Sequence, residues 1–356
     1  MVETLKANRR QFIAGSAAII GTTALSGNVT AQNTPAAIAR IVAVEHKDAL
    51  ISPTQTNDEI VPLMIEAALK AFTGAKSGAE ALSKYFQPTQ KIAIKINTLG
   101  SPYSAVNPIT AMTLAKLLQE MGVPADNIRI FDQYQSRMRK AGYRMRRRKG
   151  EVWVTNHRGR NRKEQLYEHK GHRVRFHWAN EIVWADAVLN VCVPKDHDLT
   201  GVTGSLKNMA MGVVKPTPQR YANKKNPGHY TVVPRFHKNN CDPAIPWLYS
   251  QPMIKDKVKL IVCDALRVLY HRGPQDHPRY RELYNQIMVT TDPVALDTTI
   301  LDLVNRIRVN KGMKKVEDDP WFRGKARPPN YLKTAAKMGL GVGDLSRIKI
   351  EKTTLA

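Results

Sequence analysis

Two nearly continuous apolar runs, Ala187-Val188-Leu189-Asn190-Val191-Cys192-Val193 and Val258-Lys259-Leu260-Ile261-Val262-Cys263-Asp264, set the architecture. A strand with one wet face alternates apolar and polar residues. A run that does not alternate belongs to a strand covered on both faces, as in a parallel sheet between two helical layers. The flanking periodicity agrees. Arg40–Val44 reads as a short strand, and Asp58–Phe72 as a helix with Ile60, Leu63, Met64, Ala67, Ala68 and Ala71 on one face. Lys91–Asn97 alternates as a strand, Asn107 or Pro108 opens a helix through Met121 that Gly122 ends, and Ile128–Asp132 is the next strand. Gln286–Thr290 adds a strand and Pro293–Arg308 a helix with proline in its first turn. The expected fold is α/β: a mostly parallel, Rossmann-like sheet with helices on both faces. At 42% hydrophobic residues the chain can fill such a core, which excludes a disordered chain.

The N-terminus bears on compartment. Asn8-Arg9-Arg10-Gln11-Phe12-Ile13 precedes a Gly/Ala-rich apolar stretch to Leu25, and Val29-Thr30-Ala31 has the small-x-small form of a signal-peptidase site. The stretch is shorter than the roughly 20 residues a spanning helix needs, so residues 1–31 read as a twin-arginine export signal rather than a buried helix. The expectation is a periplasmic or otherwise exported protein, its remaining residues 32–356 one α/β domain, with no transmembrane segment in the mature chain.

Charge enters next, because 55 Lys+Arg against 30 Asp+Glu leave a formal +25. About half of that excess falls in residues 134–175, which hold 15 cations against Glu151, Glu164 and Glu168. Tyr134, Tyr143, Trp153 and Tyr167 interleave with them, and Glu151–Thr155 and Arg173–His177 read as strands of a small ribbon. Arginine forks grip phosphate, sulfate or carboxylate through two hydrogen bonds. Arg144, Arg146, Arg147 and Arg148 therefore stand as a polyanion-binding cluster in a basic insertion, or as a solvated face with counterions. An exported protein meets acidic proteins and polyanionic glycan or lipid surfaces; a nucleic-acid partner is not expected there.

The densest chemistry follows Val193. Pro194–Asn208 packs Lys195, Asp196, His197, Asp198, Thr203, Lys207 and Asn208 into one strand-to-helix crossing. In an open parallel sheet ligands bind where strands end, and this segment leaves a strand end. Gly201 and Gly204 would let backbone N–H groups approach an oxyanion, with Lys195 and Lys207 adding charge. Helix caps and a backbone-bonded imidazole are the alternative reading.

At these residues the chain resembles the domain-of-unknown-function 362 family. The resemblance rests on Ile94-Lys95-Ile96-Asn97, Asn107-Pro108, Lys195-Asp196-His197 with Thr203-Gly204-Ser205-Leu206-Lys207-Asn208, Asp264-Ala265 with Gly273-Pro274, and Thr291-Asp292-Pro293-Val294-Ala295-Leu296-Asp297, spanning roughly residues 91–308. It implies a fold and a site but no reaction. Members often accompany ferredoxin-type iron–sulfur modules; here the three cysteines, Cys192, Cys241 and Cys263, form no CxxC, so no such cluster is expected from this chain alone.

The expected site joins His197, Lys195 and Lys207 as catalytic candidates to Lys95, Asn97, Thr203, Asn208, Asp264 and Asp297 as ligand-binding residues. His197 would be the acid/base group and the lysines would stabilise negative charge. His197, His229 and Asp264 are candidate ligands for a divalent metal, though no HxxxH or HExxH spacing supports one. Asp292 reads as a cap of the helix it precedes, whereas Asp297, on an inward face, needs a partner. Two functions stay open: an exported protein, enzyme or cofactor carrier, binding an anionic ligand at the sheet edge, and a non-catalytic accessory protein docking an acidic partner or polyanion through residues 134–175. Hydride transfer on a dinucleotide is disfavoured, since no GxGxxG follows a strand and Gly339-Leu340-Gly341-Val342-Gly343 comes after a helix.

Overall fold

The computed structural model describes residues 38–157, 163–215 and 235–356. In chain order the strands are β1 (Ala39–Glu45), β2 (Leu50–Ser52), β3 (Gln55–Thr56), β4 (Ile92–Lys95), β5 (Ile128–Asp132), β6 (Trp153–Asn156), β7 (Glu164–His169), β8 (His172–Trp178), β9 (Ala187–Cys192), β10 (Lys195–His197), β11 (Gly201–Thr203), β12 (Val214–Lys215), β13 (Val258–Leu269), β14 (Arg281–Thr290) and β15 (Ile348–Thr354). The helices used below are α1 (Ile60–Thr73), α2 (Gly78–Ser83), α3 (Pro108–Glu120), α4 (Gln135–Lys140), α5 (Asn180–Trp184), α6 (Ser205–Ala210), α7 (Ala244–Ser250), α8 (Pro252–Lys255), α9 (Pro293–Asn310) and α10 (Asn330–Lys337).

A ten-stranded sheet runs β15-β1-β14-β13-β9-β4-β5-β6, with the β10–β11 hairpin off the end of β13. Every pair from β13 to β6 is parallel, as is β1 with β15. Only β14 runs against its two neighbours, and β11 against β10. The sheet is thus mostly parallel, and the two apolar runs form its adjacent central strands β9 and β13. Successive side chains sort to opposite faces. Ile92, Ile94, Leu189 and Val191 join the core under α1, α2 and α3, while Ala93 and Val188 join the core under α6, α7 and α10. On that second face α9 covers β1 and β13 through Leu296, Ile300 and Leu303.

Two expectations shift. The buried stripe of α1 is Val61, Met64, Ile65, Ala68 and Leu69, leaving Leu63 57% exposed; Leu63 falls on the face marked by Glu66, Lys70 and Thr73, opposite that stripe. The basic insertion is not one ribbon. Trp153–Asn156 extends the main sheet beside β5, whereas His172–Trp178 pairs with β7 and β12 in a separate three-stranded sheet. Val154 and Thr155 are buried, so the edge of the main sheet is where their side chains find a core. Among the described residues no helix is long and apolar enough to cross a membrane.

Adjacent strands β4 and β9 send the chain to opposite faces, one into α3 and the other, through the β10–β11 hairpin, into α6. Loops that part in this way leave a crevice at the carboxyl ends of the strands.

Candidate functional site

A cavity of about 320 Å³ occupies that crevice. Lys95, Asn97 and Leu99 reach it from the end of β4, Asp132 and Tyr134 from the end of β5, and Arg137 from α4. The β10–β11 hairpin supplies His197, Asp198 and Thr203; α6 supplies Lys207 and Asn208; Pro274 follows β13. Met211, Gly212 and His237 also line it.

Three buried lysines surround this space, and their partners differ. Lys95 Nζ donates to Ile96 O at 2.5 Å, Asn208 Oδ1 at 2.7 Å and Asp132 Oδ1 at 2.9 Å. Lys195 Nζ, just behind the wall, donates to Asn97 Oδ1 at 2.7 Å, to Leu99 O and to Ser104 O at 3.3 Å. An ammonium carries three donors, so both groups are fully occupied by the protein. Lys207 Nζ has one hydrogen-bond partner among the described residues, His197 Nε2, and no carboxylate within ion-pair distance. Its side chain is buried and lines the cavity, with the other two donors unpaired among the described residues. Arg137 is half-buried; it lies 4.6 Å over the Tyr134 ring and forms no ion pair among the described residues. Thr203 Oγ1 is buried on the same wall without a hydrogen-bond partner among the described residues.

Electrostatics follow from burial. Desolvation lowers the Lys207 amine to about 8 and the Lys195 amine to about 7. Burial, then the nearby Lys207 charge, holds the His197 imidazole well below its ordinary value. A neutral imidazole has one donor and one acceptor. Leu199 N donates to Nδ1 at 3.1 Å and Asp198 Oδ1 lies 2.9 Å from the same nitrogen, while Nε2 faces Lys207 Nζ; the tautomer sets which of these atoms donates. Burial alone would raise Asp132, but the Lys95 charge and hydrogen bonds from Thr98 hold it below the usual carboxylate range.

Other expected residues stand elsewhere. Asp264 does not line the cavity: its Oδ2 accepts from Asn107 N, Asn107 Nδ2 and Thr110 Oγ1, each at 2.9 Å, and so ties β13 to the start of α3. Asp297 accepts from Ser205 N at 2.5 Å and Leu206 N at 3.1 Å, capping α6 from α9; burial raises it to about 8 against those two bonds. Gly204 serves this cap, since a Cβ there would lie 2.2 Å from Asp297 Oδ1. Gly201, with φ +80°, packs against Arg327 O instead of presenting its backbone to a ligand. Asp292 accepts from Val294 N and Ala295 N and caps α9. His229 lies outside the described residues, as do residues 1–31. Among the described residues no group of three His, Cys, Asp or Glu is placed to hold a metal.

Sequence reasoning missed Asp132, Asn190 and Arg137 as site residues. Asn190, inside the apolar run of β9, accepts from Asn208 Nδ2 and donates to Ser205 Oγ, fixing α6 over the strand end. A polar residue interrupting a doubly covered strand was the available signal. Arg327 is buried behind the site and donates to Asp196 Oδ1 and His197 O. The arginine cluster forms a separate surface hollow of about 360 Å³ lined by Arg144, Arg146, Arg147 and Arg148. There Arg146 pairs with Glu151 at 3.4 Å and Arg147 donates to Thr155.

A family model described as "Domain of unknown function (DUF362)" matches residues 92–302. Among solved structures, the lactate racemase apoprotein from Thermoanaerobacterium thermosaccharolyticum is similar at 12% identity and a TM-score of 0.42, over 89% of this chain and 83% of that one. No curated protein matches this sequence.

Proposed function

We propose, for a chain that belongs to the domain-of-unknown-function 362 family, that the cavity at the carboxyl edge of its sheet binds a small anionic ligand. One observation carries this reading: Lys207 is a buried ammonium whose only hydrogen-bond partner among the described residues is a neutral imidazole. The Asp198 carboxylate favours this charge from beyond ion-pair distance; a buried charge without a direct partner is costly, and an anion in the cavity would supply one. Arg137 and the Thr203 hydroxyl line the same space and offer further donors. His197, held between Asp198 and Lys207, is the group that accepts or returns a proton at the ligand.

The arginine hollow at Arg144–Arg148 supports a second reading, a docking face for an acidic protein or a polyanionic surface; Arg144 and Arg148 there have no ion pair among the described residues. Arg9 and Arg10, ahead of the Gly/Ala-rich stretch, support export by the twin-arginine route.

Thermal-shift titrations with phosphate, sulfate and acetate test the main reading. The native chain is expected to gain stability with each productive anion, and Lys207→Met to lose that gain while remaining folded. Equal shifts in both proteins would overturn it.

A further inference from the structure

The three lysines around the cavity are not equivalent as nucleophiles. An amine attacks a carbonyl through its nitrogen lone pair, so it needs a neutral state, room in front of it and an acceptor for its protons. Lys95 and Lys195 each direct three N–H donors into protein oxygens, and Lys195 does not line the cavity. Lys207 lines the cavity with a single hydrogen-bond partner among the described residues, an imidazole nitrogen.

We infer that Lys207 forms a Schiff base with a small carbonyl compound carrying an anionic group, of the 2-oxo acid class. The inference rests on the anion-binding reading of the same cavity and adds the carbonyl beside the negative charge. Arg137, half-buried on the wall and without an ion pair among the described residues, takes the carboxylate. Lys207 Nζ attacks the carbonyl carbon; a C–N bond forms and the carbonyl π electrons move to oxygen. One nitrogen proton passes to that oxygen through His197 Nε2, giving a carbinolamine. The nitrogen lone pair then expels the oxygen, which leaves as water with the second nitrogen proton, again carried by His197. Both amine protons end on water, and neither oxidant nor reductant is required. Asp198 Oδ1, 2.9 Å from Nδ1, stabilises the imidazolium that exists between the two transfers. The Thr203 hydroxyl, buried and without a partner among the described residues, is the group on this wall that can bond the carbinolamine oxygen. Burial, which brings the Lys207 amine to about 8, makes the neutral form accessible near neutral pH.

The test incubates the full native chain with glyoxylate or pyruvate, adds borohydride and maps the modified peptide by mass spectrometry; acetate, a carboxylate without a carbonyl, serves as competitor. The expected result is a reduced adduct on Lys207 ahead of every other lysine, lost when acetate fills the cavity and lost in Lys207→Arg. An adduct confined to Lys195 or spread over exposed lysines would overturn the assignment, and the peptide map of the native chain decides this even if the variant does not fold. If acetate and pyruvate both shift the melting temperature but borohydride traps nothing on Lys207, the Schiff base fails and anion binding stands. If neither compound binds, both readings fail.

Discussion

Lys207 meets His197 through Nζ and Nε2, a buried ammonium against an imidazole where a carboxylate is the usual partner. The pair spans the β10–β11 hairpin and the first turns of α6, so the position of each depends on how α6 is seated on the sheet. Asp297 caps that helix, Asn190 fixes it to β9, and Asn208 connects it to Lys95.

The α6 cap should therefore be sensitive to volume. Gly204→Ala places a methyl group 2.2 Å from Asp297 Oδ1, and overpacking of this kind costs about 1–3 kcal/mol. Denaturant melts should show that loss, together with weaker anion binding because α6 carries Lys207. An unchanged midpoint would show that Asp297 gives way freely.

Asp264 should behave as a structural residue. Asp264→Ala leaves Asn107 N, Asn107 Nδ2 and Thr110 Oγ1 without their shared acceptor, and roughly 2–4 kcal/mol of stability should go with it. The stabilisation gained per millimolar anion should stay as in the native chain. Loss of anion binding without loss of stability would return Asp264 to the site.

Sequence legibility follows the same division. The central placement of β9 and β13 was readable because doubly covered strands cannot hide their composition. The residues at the strand ends were readable as a group, since Lys95, His197, Thr203, Lys207 and Asn208 all line one cavity. What the sequence did not separate was cap from ligand site: Asp264 and Asp297 look like functional carboxylates until the backbone donors they accept from are in place. Asp132 was visible only as the last residue of a strand; its pairing with Lys95 across adjacent parallel strands required the β4–β5 register.

The arginine hollow predicts a salt-dependent surface. Retention of the native chain on heparin should fall steeply as salt rises. Replacing Arg144 and Arg148 by glutamine should weaken retention without altering the melting temperature, because neither side chain has an ion pair among the described residues. Retention indifferent to salt and to both substitutions would leave that face merely solvated.

Stability should rise with pH in a window set by the buried lysines. The Lys207 and Lys195 amines lie at about 8 and about 7 in the folded chain, against 10.5 when exposed. Between those values the unfolded chain holds protons that the folded chain has released, so the stability these groups contribute is full above 10.5 and falls away as pH drops through 8 and 7. Comparing the native chain with Lys207→Met isolates one of them: the variant should show a flatter rise between about pH 8 and 10. Identical slopes would place Lys207 in water.

Proton uptake on anion binding reads the charge state of Lys207 itself. A bound anion favours the ammonium, so at about pH 9, where the free Lys207 amine is mostly neutral, binding of phosphate or acetate should draw a proton from solution. Calorimetric titrations in buffers of different ionisation enthalpy should report that uptake in the native chain, its disappearance below about pH 7, and its absence in Lys207→Met. Binding with no proton uptake at the higher pH, or the same uptake in the variant, would contradict an anion site built on Lys207.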